Sequence, residues 1–145
     1  MLENKFHFET LPVTEAFLRE KQLIPYRGEL VLLSDGEEIR HLTFFTLNPG
    51  NGYLRGGHYH SKKNEKFYVA SGKMRPLLMD VETEELAALD MDAGCWVTLK
   101  PMCAHKFVAR RLSQVIEYYA KPFDLSDDIR YDKFEGEETP SSMIK

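Results

Sequence analysis

Residues 52–72 read GYLRGGHYHSKKNEKFYVASG, and this stretch decides the fold. Side chains on a strand alternate faces, so His58 and His60 point the same way with Tyr59 opposite. Their α-carbons then lie about 7 Å apart, close enough for two imidazoles to meet at one ion. Four residues turn the chain, and the next strand opens on Glu65. Glu65, Phe67 and Val69 share a face, so if the two apolar residues are core, the carboxylate also points inward. An ionised carboxylate facing a core is costly unless it is paired or bound to metal. A third imidazole, His105, follows Pro101 on a later strand. Three neutral nitrogens and a carboxylate form a borderline donor set for one divalent ion (Zn, Fe, Mn, Ni or Co), with a position left for water or substrate.

Outward from this stretch the texture is all-β. Short runs rich in β-branched and aromatic residues recur at 29–34, 39–47, 65–71, 74–81, 84–90, 95–100, 105–110 and 114–120, broken by turn residues. Ser34-Asp35-Gly36 predicts a hairpin turn and Ser71-Gly72-Lys73 a tight turn, while residues 48–52 predict a loop. Pro76 within a strand predicts an edge or a bulge. Many short strands with closely spaced turns mean a sandwich or barrel. Residues 14–21 predict a short helix capped by Thr14. The predicted organisation is an N-terminal helix and extended segment over 1–27, a barrel over 28–122 and a polar tail over 123–145.

Length and charge narrow the function. The chain has 145 residues, one domain's worth, and a net charge of −4. From Asp124 to Lys145 there are seven acids and three bases, which is the whole net charge. The body is near neutral, which argues against a nucleic-acid partner. No apolar run is long enough for a membrane span, and no secretory signal is visible, so the expected place is the cytoplasm. Cys95 and Cys103 then read as reduced thiols rather than a disulfide framework.

Gly52, His58, His60, Glu65 and Gly72 match the first motif of the cupins, G-x5-H-x-H-x3–4-E-x6-G, position for position. In the second motif Gly94 and His105 keep the family's separation, Pro101 falls one residue late, and Ala109 stands where an asparagine is usual. The chain therefore resembles a cupin over roughly residues 28–120. The resemblance implies a single-domain jelly-roll β-barrel with one divalent metal held by His58, His60, Glu65 and His105, and commonly a homodimer. The run Phe44-Phe45-Leu47 is a candidate for that interface or for the core. Arg55-Gly-Gly-His58-Tyr-His60 is similar to the segment of cupins that isomerise or epimerise nucleotide-linked keto-sugars. The run from His58 to Phe67 is similar to the cupin domain of bifunctional enzymes of capsule and O-antigen sugar synthesis.

That resemblance implies a small-molecule substrate and an isomerase or epimerase working through a metal-stabilised enolate. A base must remove a proton next to the carbonyl, and a Lewis acid stabilises the oxygen. His58 and Glu65 are the candidate catalytic groups. Arg55 is the candidate to hold a diphosphate bidentately. Without metal, His58 itself is the candidate base, as in related metal-free epimerases. Tyr118 or Tyr119 is a candidate phenol acid that parity does not separate. Lys66 should point away from the site. His7 and His41 carry no signal and read as ordinary surface or half-buried residues, the Lys62-Lys63 pair as a solvated turn and the acidic tail as a solvated terminus. Two other classes remain open: a metal-dependent oxygenase with an apolar pocket, and a non-catalytic ligand-binding or assembly module.

Overall fold

A computed structural model describes residues 1–14, 21–24 and 28–134. Two long strands organise it. β7 (Glu65–Asp80) and β11 (Cys103–Tyr119) pair antiparallel along their whole length, from Cys103 opposite Asp80 to Tyr118 opposite Lys66. Each bends partway and changes neighbours, so one strand pair serves two sheets. The first half of β7 pairs with β10 (Cys95–Leu99), which pairs with β1 (Phe6–Thr10), while the second half of β11 pairs with β5 (His41–Leu47). The second half of β7 pairs with β8 (Leu86–Ala88) and β9 (Met91–Asp92), while the first half of β11 pairs with β6 (Arg55–Tyr59). β12 (Ile129–Arg130) closes the outer edge of β6. A separate small sheet joins β2 (Val13–Thr14), β3 (Lys21–Ile24) and β4 (Gly28–Val31). Two facing antiparallel sheets made by strands that cross between them form the predicted jelly roll.

The core lies between the sheets. Phe67, Val69, Met74, Leu78, Val97, Leu99, Phe107 and Val115 are all 2% exposed or less. Full burial stabilises by about 1.5–3 kcal/mol per large apolar side chain, so this layer dominates the fold's stability. Phe45 and Leu47 belong to it, whereas Phe44 is 60% and Leu42 70% exposed on the other face of β5. The period-two reading of β5 is thus resolved in favour of core for Phe45 and Leu47.

Several local expectations are corrected. Ser71-Gly72-Lys73 is not a turn: β7 runs straight through it, and the two strands predicted on either side are one. The runs at 105–110 and 114–120 are likewise one strand, β11. Ser34-Asp35-Gly36 bends the chain but joins no hairpin, since β4 pairs with β3 and β5 with β11. Pro76 lies in the gap where the second neighbour of β7 changes from β9 to β8, so its missing N–H leaves no ladder bond unmade. The helix predicted over 14–21 falls mostly outside the described residues, and its two ends, Thr14 and Lys21, are in strands. Both cysteines are unpaired and buried. Among the described residues no helix is long and apolar enough to cross a membrane.

Asp80 ties the chain's start to the end of β7. It is fully buried, receives Lys5 Nζ at 2.8 Å, and accepts from the backbone N–H groups of Glu82 and Thr83. Burial pushes its carboxyl up, but these donors outweigh it and hold it down at about 2. A depressed carboxylate adds stability above its unfolded-state pKa and loses it as the pH falls toward about 2. Asp80→Ala is expected to cost about 1–3 kcal/mol in urea melts at neutral pH, because it removes the buried partner of Lys5, leaving it Glu82, and frees the N–H groups of Glu82 and Thr83. The gap from wild type should close in melts taken near the folded pKa.

Candidate functional site

The site sits between the two sheets where β6 ends, β7 opens and β11 starts. His58 and His105 are cross-strand partners on β6 and β11, and Glu65 opens β7. His60 follows β6 by one residue. The ring centroids of His58 lie 4.8 Å from His60 and 4.7 Å from His105. One donor atom from each of His58, His60, Glu65 and His105 falls within 4.8 Å of the others. The structure therefore brings together all four predicted ligands.

Each imidazole is oriented from behind. His60 Nδ1 donates to the Asp127 carbonyl at 2.6 Å, and His105 Nδ1 donates to the Cys103 carbonyl at 3.2 Å. A carbonyl only accepts, so Nδ1 carries the hydrogen and Nε2 presents a lone pair. His58 Nδ1 lies 2.8 Å from Asp128 Oδ1, a carboxylate in place of a carbonyl. Outer partners of this kind fix the tautomer of metal-ligating histidines.

The inner atoms are short of partners. His60 Nε2 approaches Glu65 Oε1 at 3.0 Å and His105 Nε2 approaches it at 3.4 Å. Neither approach has hydrogen-bond alignment, and His60 Nε2 and Glu65 Oε1 are both buried without a hydrogen bond. Buried polar groups in that state call for an explanation. Two nitrogens and an oxygen about this far apart suit a divalent ion at the usual ~2.0–2.2 Å bond lengths. The residues present fit a metal.

Burial splits the cluster. His60, Glu65 and His105 side chains are 5%, 4% and 1% exposed, whereas His58 is 29% exposed. Burial pushes His105 down to about 4, so it is neutral at neutral pH. Burial also lowers His58, against an upward pull from Asp128. Burial pulls His60 down as well, but Glu65 and the Asp127 carbonyl outweigh it and the net direction is up.

A second carboxyl was not anticipated. Glu117 on β11 lies opposite Phe67 and Thr43 and hydrogen-bonds Glu65. Burial first, and then the neighbouring Glu65, push it up to about 8, while Glu65 is held down at about 2. Two buried carboxyls this close disfavour double ionisation, and their opposed shifts favour the proton on Glu117. A signal for it was present: Glu117 alternates with Val115 and Tyr119, so it had to face inward with them.

The structure revises some of the remaining readings and settles others. Asp127 and Asp128 belong to the tail read as solvated, yet Asp127 is 4% exposed and accepts from Ser61 N and Oγ and from Lys62 N. No strand periodicity announces these two. Lys63 is 7% exposed rather than a solvated turn residue. His41 stacks on Tyr119, with centroids 4.1 Å apart, and its Nε2 lies 2.6 Å from Thr43 Oγ1. Tyr119 faces the site, while Tyr118 donates its hydroxyl to the Leu33 carbonyl, which resolves the parity. Lys66 points away and pairs with Glu37 at 2.7 Å. The Cys103 thiol is pushed up to about 12 by burial, so its carbonyl and not its sulfur serves the site. Arg55 stands apart from the donor cluster: its Nε donates to the Thr46 carbonyl and its guanidinium lies over the Phe45 ring.

His58 is where the open space meets. A cavity of about 240 Å³ is lined by Thr43, His58, Lys63, Glu117 and Tyr119, among others. A second, of about 170 Å³, holds Arg55, His58 and Glu117 in its wall. A third, of about 470 Å³, opens outward past His58, Asp128 and Tyr131.

A jelly roll with imidazoles and a carboxylate gathered at its mouth is a cupin. Within that class the model of the polysaccharide biosynthesis C-terminal domain matches residues 25–121, and the chain belongs to that family. No curated protein matches it by sequence. Solved structures match its fold at low identity. A mutant of the 3,4-ketoisomerase of Thermoanaerobacterium thermosaccharolyticum, in complex with TDP-4-keto-6-deoxyglucose, superposes with a TM-score of 0.72 at 13% identity over 90% of each chain. The dTDP-4-dehydrorhamnose 3,5-epimerase of Sulfolobus tokodaii does so with a TM-score of 0.71 at 15% identity, over 97% of this chain and 89% of that one. A 3'-monoepimerase of Streptomyces bikiniensis in complex with dTDP-quinovose gives 0.74 at 13% identity, over 96% of this chain and 77% of that one.

Proposed function

We propose that the chain is an isomerase or epimerase of a nucleotide-linked keto-sugar, with His58 as the base. The observation that carries this is the pairing of His58 with Asp128 at 2.8 Å at the junction of three cavities. Held through Nδ1, the ring directs a basic Nε2 inward. There it takes the proton from the carbon next to the ketone, and the carbonyl oxygen gains the charge. The Glu117 carboxyl lines two of these cavities and, in its protonated form, returns a proton. Return to the opposite face of the same carbon gives an epimer; return to the former carbonyl carbon gives a keto-isomer, with the hydroxyl on the deprotonated carbon passing its proton to the enolate oxygen as it becomes the new ketone. Arg55 remains at the rim as a candidate for the diphosphate. The walls around His58 set hydrogen-bonding groups for sugar hydroxyls, Thr43, Lys63 and Glu117, beside the rings of Phe45, Phe67 and Tyr119.

The buried trio His60, Glu65 and His105 would hold the metal, which would supply Lewis-acid stabilisation of the enolate oxygen. His58 is the fourth candidate ligand, but its exposure and carboxylate partner favour the base role. Elemental analysis of protein kept away from chelators and nickel columns should find about one equivalent of divalent metal. His60→Ala with His105→Ala should remove it, and His58→Asn should retain it. Loss in His58→Asn would make His58 a ligand. Metal affinity should fall with pH through the raised His60 pKa, because the proton competes for Nε2.

Unpaired buried thiols fit the cytoplasm. The exposed Leu42 and Phe44 on β5 are the face on which a homodimer would form. The functional test is incubation with TDP-4-keto-6-deoxyglucose, followed by the sugar proton spectrum. A new keto-sugar isomer supports the reading, and an unchanged spectrum at high protein concentration opposes it.

A further inference from the structure

Behind the reaction cavity lies another, of about 440 Å³, lined by Glu37, Glu38, Lys62, Lys63, Lys66 and Lys121 among others. Lys63 and Tyr119 line both, so they form the wall between them. The charges of this second cavity do not balance. Glu37 is taken by Lys66 at 2.7 Å, and Glu38 by Arg40 at 2.7 Å. Both acids are therefore engaged, and Lys62, Lys63 and Lys121 remain. Lys121 Nζ donates to the Lys62 carbonyl at 2.8 Å, which leaves it two further hydrogens.

Lys63 is the telling residue. Its side chain is buried, its ammonium lies 3.7 Å above the Tyr119 ring and 5.8 Å from Phe123, and no carboxylate forms an ion pair with it among the described residues. Aromatic faces attract a cation but do not neutralise it. Glu117 lines the reaction cavity with Lys63 and attracts it at longer range, but among the described residues no acceptor takes its ammonium hydrogens, which leaves them for an anion arriving from outside. The volume is of ligand size.

We propose that this second cavity is a phosphate-binding site, with Lys63 as its innermost cation and Lys62 and Lys121 at its rim. A phosphate there meets three ammonium groups as charge-assisted donors. The site itself stands apart from the isomerase reading; only the assignment of its phosphate to a nucleotide substrate rests on that reading. Bound so, the diphosphate would approach His58 from the Lys63 side rather than from Arg55.

The test uses protein labelled with [ε-13C]lysine, whose ε-methylene signals are followed by NMR. The Lys63 signal is identified by its loss in Lys63→Met. Titration with inorganic phosphate should move the Lys63 and Lys121 signals, and thymidine should not. Thymidine diphosphate should move them with at least about tenfold higher affinity if the phosphate is a nucleotide's. Equal affinity for phosphate and the diphosphate would assign a free phosphate. Lys63→Met should abolish the Lys121 response, and Lys63→Arg should keep it. A Lys63 signal that stays still through the phosphate and diphosphate titrations overturns the proposal, whether or not the protein turns over a keto-sugar. Thermal melts separate a structural role. Lys63→Met should melt close to wild type, since it keeps an apolar stem against Tyr119 and breaks no ion pair among the described residues. A clear drop would make the lysine a packing residue and also overturn the proposal.

Discussion

His58→Asn is expected to lower turnover of a keto-sugar nucleotide by about 10²–10⁴-fold with a small change in KM, the usual scale for losing a positioned base. Burial holds the His58 pKa below its ordinary value of 6.5, so the ring is the free base at neutral pH. Activity should rise with pH along an acid limb that ends below that ordinary value. Asp128 is the partner that raises the His58 pKa. Asp128→Asn should therefore shift the acid limb to lower pH while cutting turnover less than His58→Asn does. A limb that stays in place would show that Asp128 does not act through His58. Glu117→Gln should lower turnover across the pH range, because it removes the acid that returns the proton, and leave the residual activity without the alkaline limb that a carboxyl held at about 8 imposes.

The largest effect on stability is expected at Gly72. Its φ is +92°, and a Cβ there would meet the Leu112 carbonyl oxygen at 2.2 Å and the Ser113 α-carbon at 2.7 Å. These are backbone atoms, held by the register shift of β11 between Arg111 and Gln114. Neither can withdraw without breaking the strand pair that links the two sheets. Gly72→Ala is expected to cost more than about 4 kcal/mol, or to prevent folding. Gly36→Ala is the control. It has φ +78° with nothing within 4 Å of a Cβ, so it should cost only about 1–2 kcal/mol of left-handed strain. Chemical denaturation of the two variants checks the contrast, and equal costs would refute the steric account.

These two positions show what a sequence can and cannot carry. The glycine that ends the motif was legible as an obligatory residue, but its role was read as a turn. Local chemistry cannot distinguish a turn from a bulge in a continuous strand, because both use φ > 0. Three donors were legible because period-two alternation puts His58 with His60 and Glu65 with Phe67 and Val69, while His105 was legible from its separation from Gly94 in the second motif. Glu117 obeyed the same rule beside Val115 and Tyr119, but as a charged residue in an aromatic strand it drew no attention. Asp127 and Asp128 were beyond such reasoning. Their tail reaches the site through a short 3-10 turn over Leu125–Asp127 and two residues of β12 paired with His58 and Tyr59. Long-range pairing of this kind leaves no periodic trace. Lys63 was hidden for a related reason, since only the positions of Tyr119 and Phe123 make a turn lysine buried.

The account rests on proton removal by His58, and deuterium exchange measures that step directly. TDP-4-keto-6-deoxyglucose is incubated with the protein in D₂O, and the signals of the protons next to the ketone are followed by NMR. Catalysed loss of one such signal in wild type, and its persistence at the uncatalysed rate with His58→Asn, is the predicted result. Exchange that proceeds equally fast in His58→Asn would contradict it.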